Sequence, residues 1–213
     1  MYYRAVLWSA AFGLALTTTL TAQTTTTAPA PVPDSTSPVI LTAAQQIAVA
    51  VLAEPREFRD SSTVLGYGPD GKLKELRHGT GAMVCLANDP ARERFQVACY
   101  HRSLEPFMAR GRALRARGLK ADQVDSIRLR EIRAGTLRFP THPASLYTLN
   151  GAKGVYNPET GAVTGGRPLY VVYIKDATGA STGLPTAPVE GSTTPWIMHA
   201  GTAKAHIMFV AGM

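Results

Sequence analysis

The sequence predicts an α+β fold, a single domain over residues 39–213 with a mostly antiparallel sheet and two or three helices. Three observations lead there. Segments with helical apolar spacing stand at the start and in the middle of the domain. Short runs rich in Val, Phe and Tyr, bounded by Gly, Pro, Asn and Asp, lie on either side of the middle block. No second linker interrupts the chain after residue 38, and the remaining length suffices for one core.

The elements follow in order. Residues 42–53 (TAAQQIAVAVLA) place Ala43, Ile47, Ala50 and Val51 on one stripe, with Thr42 as cap and Glu54-Pro55 as stop. Residues 62–67 and 72–77 flank Gly68-Pro69-Asp70-Gly71, the turn of a strand pair. Residues 82–86 and 95–100 are further strands, joined by a loop that opens on Asn88-Asp89-Pro90. From Ser103, Leu104, Phe107, Met108, Gly111 and Leu114 share a helical face, and Gly118 stops it. Residues 122–134 read as a second helix closed by Gly135, although Ile127-Arg128-Leu129-Arg130 also alternates like a strand. The last third is β: residues 145–149, 169–174, 195–199 and 205–210. The long Gly/Ser/Thr/Pro connection over 175–194 is of a length often used for function.

The amino terminus has the three parts of a secretory signal over residues 1–22. Arg4 supplies a positive start, Ala5 to Leu16 an apolar run too short to span a bilayer, and Leu20-Thr21-Ala22 a cleavage site before Gln23. No cysteine stands at that site to carry a lipid. Residues 23–38 (QTTTTAPAPVPDSTSP) hold almost nothing to bury and read as a disordered linker. The mature chain is therefore expected to be exported, to periplasm or medium, with no transmembrane segment. In such a compartment Cys85 and Cys99, on neighbouring strands, are expected to form a disulfide rather than a catalytic thiol.

The net charge of +7 is concentrated. Residues 92–138 hold twelve Lys/Arg against five Asp/Glu, whereas the flanking segments nearly balance. Such a surplus suits an anionic ligand or envelope polymer, with Arg110 and Arg117 as candidate contacts beside the plainer reading of a solvated helical face. Nucleic acid is not an expected partner, because the block lacks interleaved aromatics and the chain is exported.

None of the five histidines stands in a metal signature. His199 and His206 flank a short connection and fall at or near one rung if their strands pair. A third ligand from His101, His142, Met83 or a carboxylate would complete a zinc or copper site. The simpler reading is a hydrogen-bonded core His206 and no cofactor. Ser181 in Gly179-Ala180-Ser181-Thr182-Gly183 spells a nucleophile elbow, but Pro185 follows at once.

At Arg77-His78-Gly79-Thr80-Gly81 through Cys85, at Ala98-Cys99-Tyr100-His101 and at His206-Ile207-Met208, the chain resembles a group of exported bacterial proteins with no established activity. That resemblance implies export and a shared domain over most of residues 54–213, and no reaction. The expected function is a ligand- or envelope-binding module, with a His-dependent or metal-assisted enzyme near the carboxy-terminal hairpin as the alternative. Amino-terminal sequencing of protein recovered from the envelope or medium is expected to begin at or near Gln23. Intact Met1 in that material would overturn the signal-peptide reading.

Overall fold

The computed structural model describes residues 41–210; the expected signal peptide and linker lie outside them. The helix from Thr42 forms as α1 (Ala43–Ala50) and tightens into a 3₁₀ turn (Val51–Ala53) before Pro55. Thr42 caps it through a capping box with Gln45. The expected hairpin forms as β1 (Thr63–Tyr67) and β2 (Leu73–Arg77). Its turn closes through Gly68 N to Lys72 O at 2.9 Å. Next come β3 (Met83–Leu86), β4 (Phe95–His101), a 3₁₀ turn, α2 (Glu105–Ala116) and α3 (Ala121–Arg133). The ambiguous segment after Asp122 is thus helical. Val124 and Arg128's aliphatic stem, four residues apart, are buried while Ser126 between them is exposed, a pattern that fits a helix and not a strand, where all three would share one face.

The remaining strands are β5 (Ala144–Gly151), β6 (Arg167–Tyr173), β7 (Trp196–Met198) and β8 (His206–Val210). One helical turn not expected from the sequence, α4 (Gly179–Thr182), lies inside the long 175–194 connection. Together the strands make one eight-stranded sheet in the order β2-β1-β3-β4-β5-β6-β8-β7, antiparallel except for the β1–β3 pair. The described residues belong to one compact unit, and none of their helices is long and apolar enough to cross a membrane.

Period-two alternation sends apolar groups to both faces of this sheet. One face carries Val64, Met83, Cys85, Val97 and Cys99 under α1 and its 3₁₀ turn. The other carries Val84, Tyr100, Ala144, Val171 and Tyr173 under α2, which contributes Leu104's neighbour Phe107. Phe107, Phe139 and Tyr173 pack edge to face there, with ring centroids 5.0–6.2 Å apart.

Cys85 and Cys99 face each other directly across β3 and β4 and form the expected disulfide, their Cα atoms 4.0 Å apart. Glu54 lies against this bond, 2 % exposed. Its Oε1 accepts from Ser62 Oγ at 2.7 Å while Oε2 has no partner. Burial raises its pKa above the ordinary carboxylate range, which favours the neutral acid.

Gly111 lets α2 and α3 approach. A Cβ there would meet Arg128 Nη1 at 2.8 Å. Arg128 cannot retreat: it is 6 % exposed, its guanidinium carbon lies 3.8 Å above the Phe107 ring, and it donates to Phe107 O and Asp125 Oδ1. In an exposed helix Gly→Ala would stabilise by up to about 1 kcal/mol. Here Gly111→Ala is expected to destabilise by about 1–3 kcal/mol through overpacking, read from urea unfolding. A stabilised variant would show that the α2–α3 contact is looser than described.

Candidate functional site

Two places gather chemistry-bearing residues, and they lie on the same face of the sheet. The first is the carboxy-terminal hairpin. His206 opens β8 opposite Met198, so His199 stands one residue beyond the last rung rather than on it. The backbone turns there: His199 has φ +55, a left-handed conformation that reverses the chain into the β7–β8 connection. The two imidazoles nevertheless meet, centroids 5.6 Å apart, and His206 also packs on Tyr173 at 4.8 Å.

His206 is 9 % exposed, and its Nδ1 lies 2.8 Å from Lys204 O. A carbonyl only accepts, so Nδ1 carries the proton and the neutral ring keeps its lone pair on Nε2. Burial lowers the His206 pKa, partly opposed by the hydrogen bond to Lys204 O and aided by repulsion from the Lys204 ammonium, and His199 shifts the same way for the same leading cause. Lys204 is itself 6 % exposed and donates to Asp125 Oδ2 at 2.5 Å. Asp125 also accepts from Arg128, and these two cations hold its carboxyl below the usual range despite partial burial, which alone would raise it.

The expected grouping of His101 with His199 and His206 does not occur. His101 pairs with Met83, on the sheet face opposite His206, and its ring neighbour is His142 at 6.2 Å. Strand alternation is the reason: Tyr100 points toward α2, so His101 points away. Among the described residues, the one grouping of three donor side chains close enough for a metal is Glu54, Cys85 and Cys99, whose sulfurs are bonded to each other. Among the described residues, His199 and His206 have no third His, Cys, Asp or Glu donor within that distance. Ser181 sits within α4, where its hydroxyl donates to Thr178 O at 3.1 Å and accepts from Thr178 N at 2.9 Å. It serves the local turn.

The second place is a slot of about 630 Å³ between the carboxy-terminal half of α2 and strands β1–β4. Sequence reasoning named two arginines of this region, and the structure distributes them otherwise. Arg110 is clamped by Glu131 through Nε and Nη2 at 2.5–3.1 Å. Arg117 caps the end of α2 in solvent. The arginines that line the slot are Arg92, Arg112 and Arg115. Arg112 donates to Glu105 at 2.6 Å and to the buried Tyr100 hydroxyl at 2.8 Å, and Tyr100 in turn donates to Glu105. Arg92 reaches Gln96 and lies 4.0 Å from Asp89. Among the described residues Arg115 has neither a carboxylate nor a hydrogen-bond partner. The residue is exposed overall, but partial desolvation of its guanidinium, then repulsion from Arg128 and Arg92, opposed by Asp125, lowers its pKa below the ordinary value. On the slot's other wall burial and the Asp89 carboxylate push Tyr67 up to about 12, so its hydroxyl stays protonated. The spacing of residues 112 and 115 on one helix face was legible in the sequence, but Arg92 comes from a loop that only the fold brings there.

No family model, curated protein or solved structure matches this chain.

The histidine geometry sets a pH dependence. A histidine whose folded pKa is lowered contributes stability that is fully present above the unfolded value near about 6.5. That stability is lost as pH falls from there toward the lowered folded value. Unfolding free energy from urea titrations is expected to decline between about pH 7 and 5. His206→Asn, which keeps a donor for Lys204 O, should flatten this limb. The Asp125 carboxyl acts in a separate window, below about pH 4. A wild-type profile flat from pH 7 to 5 would show that His206 is not held neutral.

Proposed function

We propose that this protein is an exported binding module that holds an anionic ligand in the slot between α2 and the sheet. One observation carries the reading: Arg115 stands in a concavity with two other arginines and a fourth behind them, without a counter-charge of its own. An anion placed there would offset the mutual repulsion and meet several guanidinium donors at once. The concave shape and the few convergent polar groups suit a small-molecule site better than a flat polyanion face. Export is supported by the signal-like amino terminus and by the disulfide, and an envelope component is a natural source of such a ligand. The His-dependent alternative asks for two or three histidines and polar loop groups in one cleft. Yet three concavities, including the slot, are lined by no histidine.

Thermal unfolding of the mature protein with sulfate, phosphate or citrate, against chloride at equal ionic strength, tests the proposal. A ligand at about a hundred times its Kd stabilises by about 2.7 kcal/mol, a rise of several degrees in Tm. Arg115→Ala is expected to weaken binding at least tenfold, and Arg117→Ala to leave it unchanged. Equal shifts in both variants, or none in the wild type, would overturn the reading.

A further inference from the structure

The slot also has an interior, and its chemistry differs from that of its arginines. Ala113 and Ala116 of α2 face Ala98 of β4, with Leu73 and Leu86 of the neighbouring strands completing an apolar lining. Nearer its start, α2 closes onto the sheet with Phe107 and Met108, which fill the space between the layers. Toward its end the same helix offers Ala113 and Ala116, both solvent-accessible, beside Arg112 and Arg115, to a strand position that is also alanine, so the slot stays open. A site for a small inorganic anion needs no such chamber. Together the guanidinium cluster and the chamber define two regions of unlike chemistry within one cavity.

We infer that the ligand is a single-chain amphiphile with an anionic head, a long-chain carboxylate or its phosphate-headed counterpart. The head engages Arg115 with Arg92 and Arg112, and the chain lies along Ala113, Ala116 and Ala98. This rests on the anion-binding reading above and extends it to the body of the ligand. Three guanidiniums against the single Asp89 carboxylate in the lining favour an anionic head, and the apolar lining gains from each methylene removed from water.

The test is isothermal titration of the mature protein with butyrate, hexanoate, octanoate and decanoate below their aggregation limits, with decyl phosphate as a second head and sulfate as the chainless probe. Affinity is expected to rise about threefold to fourfold per methylene until the chamber is full. Whether decanoate or decyl phosphate binds tighter identifies the head. Ala98→Phe fills the chamber from the strand side. It should cut decanoate binding at least tenfold while sulfate still binds, and Ala113→Phe fills it from the helix if the first variant unfolds. Arg115→Ala should weaken both ligands. Sulfate binding with decanoate no tighter than butyrate would overturn the amphiphile and leave the anion site standing. Decanoate binding that survives Ala98→Phe and Ala113→Phe unchanged would overturn it too. Failure of sulfate and every carboxylate to bind would remove both readings.

Discussion

Asp125 is the constraint on which the helical layer depends. Its carboxylate lies between two cations that are almost wholly withdrawn from water, Arg128 on the next turn of α3 and Lys204 from the connection into β8. Taking such charges out of solvent costs several kcal/mol each, which one shared carboxylate offsets only in part. Removing Asp125 would leave two buried cations uncompensated, a far larger loss than the pair's net contribution. The network therefore specifies an arrangement more than it adds stability: α3 can settle only where Arg128 reaches both Asp125 and the Phe107 ring. Gly111 is the space that this position of the guanidinium requires.

The same imbalance has consequences at both candidate places. Two cations on one carboxylate leave positive charge at the centre of the helical face. On the hairpin side, Lys204 adds to the burial that keeps His206 and His199 neutral. On the slot side, Arg128 is the largest electrostatic influence on Arg115 after burial itself. His206 thus reads as a core residue with a carbonyl partner and a tyrosine neighbour, its neutrality a by-product of the buried charge. Arg115, at the border of the same field and open to a cavity, is the group on which the proposed anion would act.

Much of the fold was legible because its signals are local. The β1–β2 turn, the stop at Pro55 and the alternation of β8 each depend on residues within a few positions of one another, and the opposed cysteines lie on consecutive strands fourteen residues apart. The choice of helix for residues 121–133 depended on burial against α2, which alternation within Ile127-Arg128-Leu129-Arg130 could not reveal. The site was less legible for the same reason. Arg110 and Arg117 looked equivalent in a basic run, but Glu131, twenty-one residues past Arg110, neutralises one of them. Asp125 and Lys204 are seventy-nine residues apart. His101 and His206 were candidates for one site until strand parity sent them to opposite faces. The emptiness of the slot depends on three alanines from two elements, none informative alone.

The slot and the Asp125 network are linked thermodynamically, since Arg128 belongs to one and acts on the other. The anion proposed near Arg115 would screen the repulsion between it and Arg128, and such binding and the integrity of the buried network would then favour each other by the same amount. The α2–α3 pair supplies the rigid side of this arrangement, through Arg110–Glu131 and Arg128–Phe107. On the sheet side, the disulfide ties β3 to β4, two of the strands beneath the slot. The slot is therefore walled by a helix held from behind and by strands joined covalently, which lowers the ordering cost that a ligand would otherwise have to meet. That preorganisation is what an uncompensated guanidinium needs to act as a binding group rather than relax into solvent.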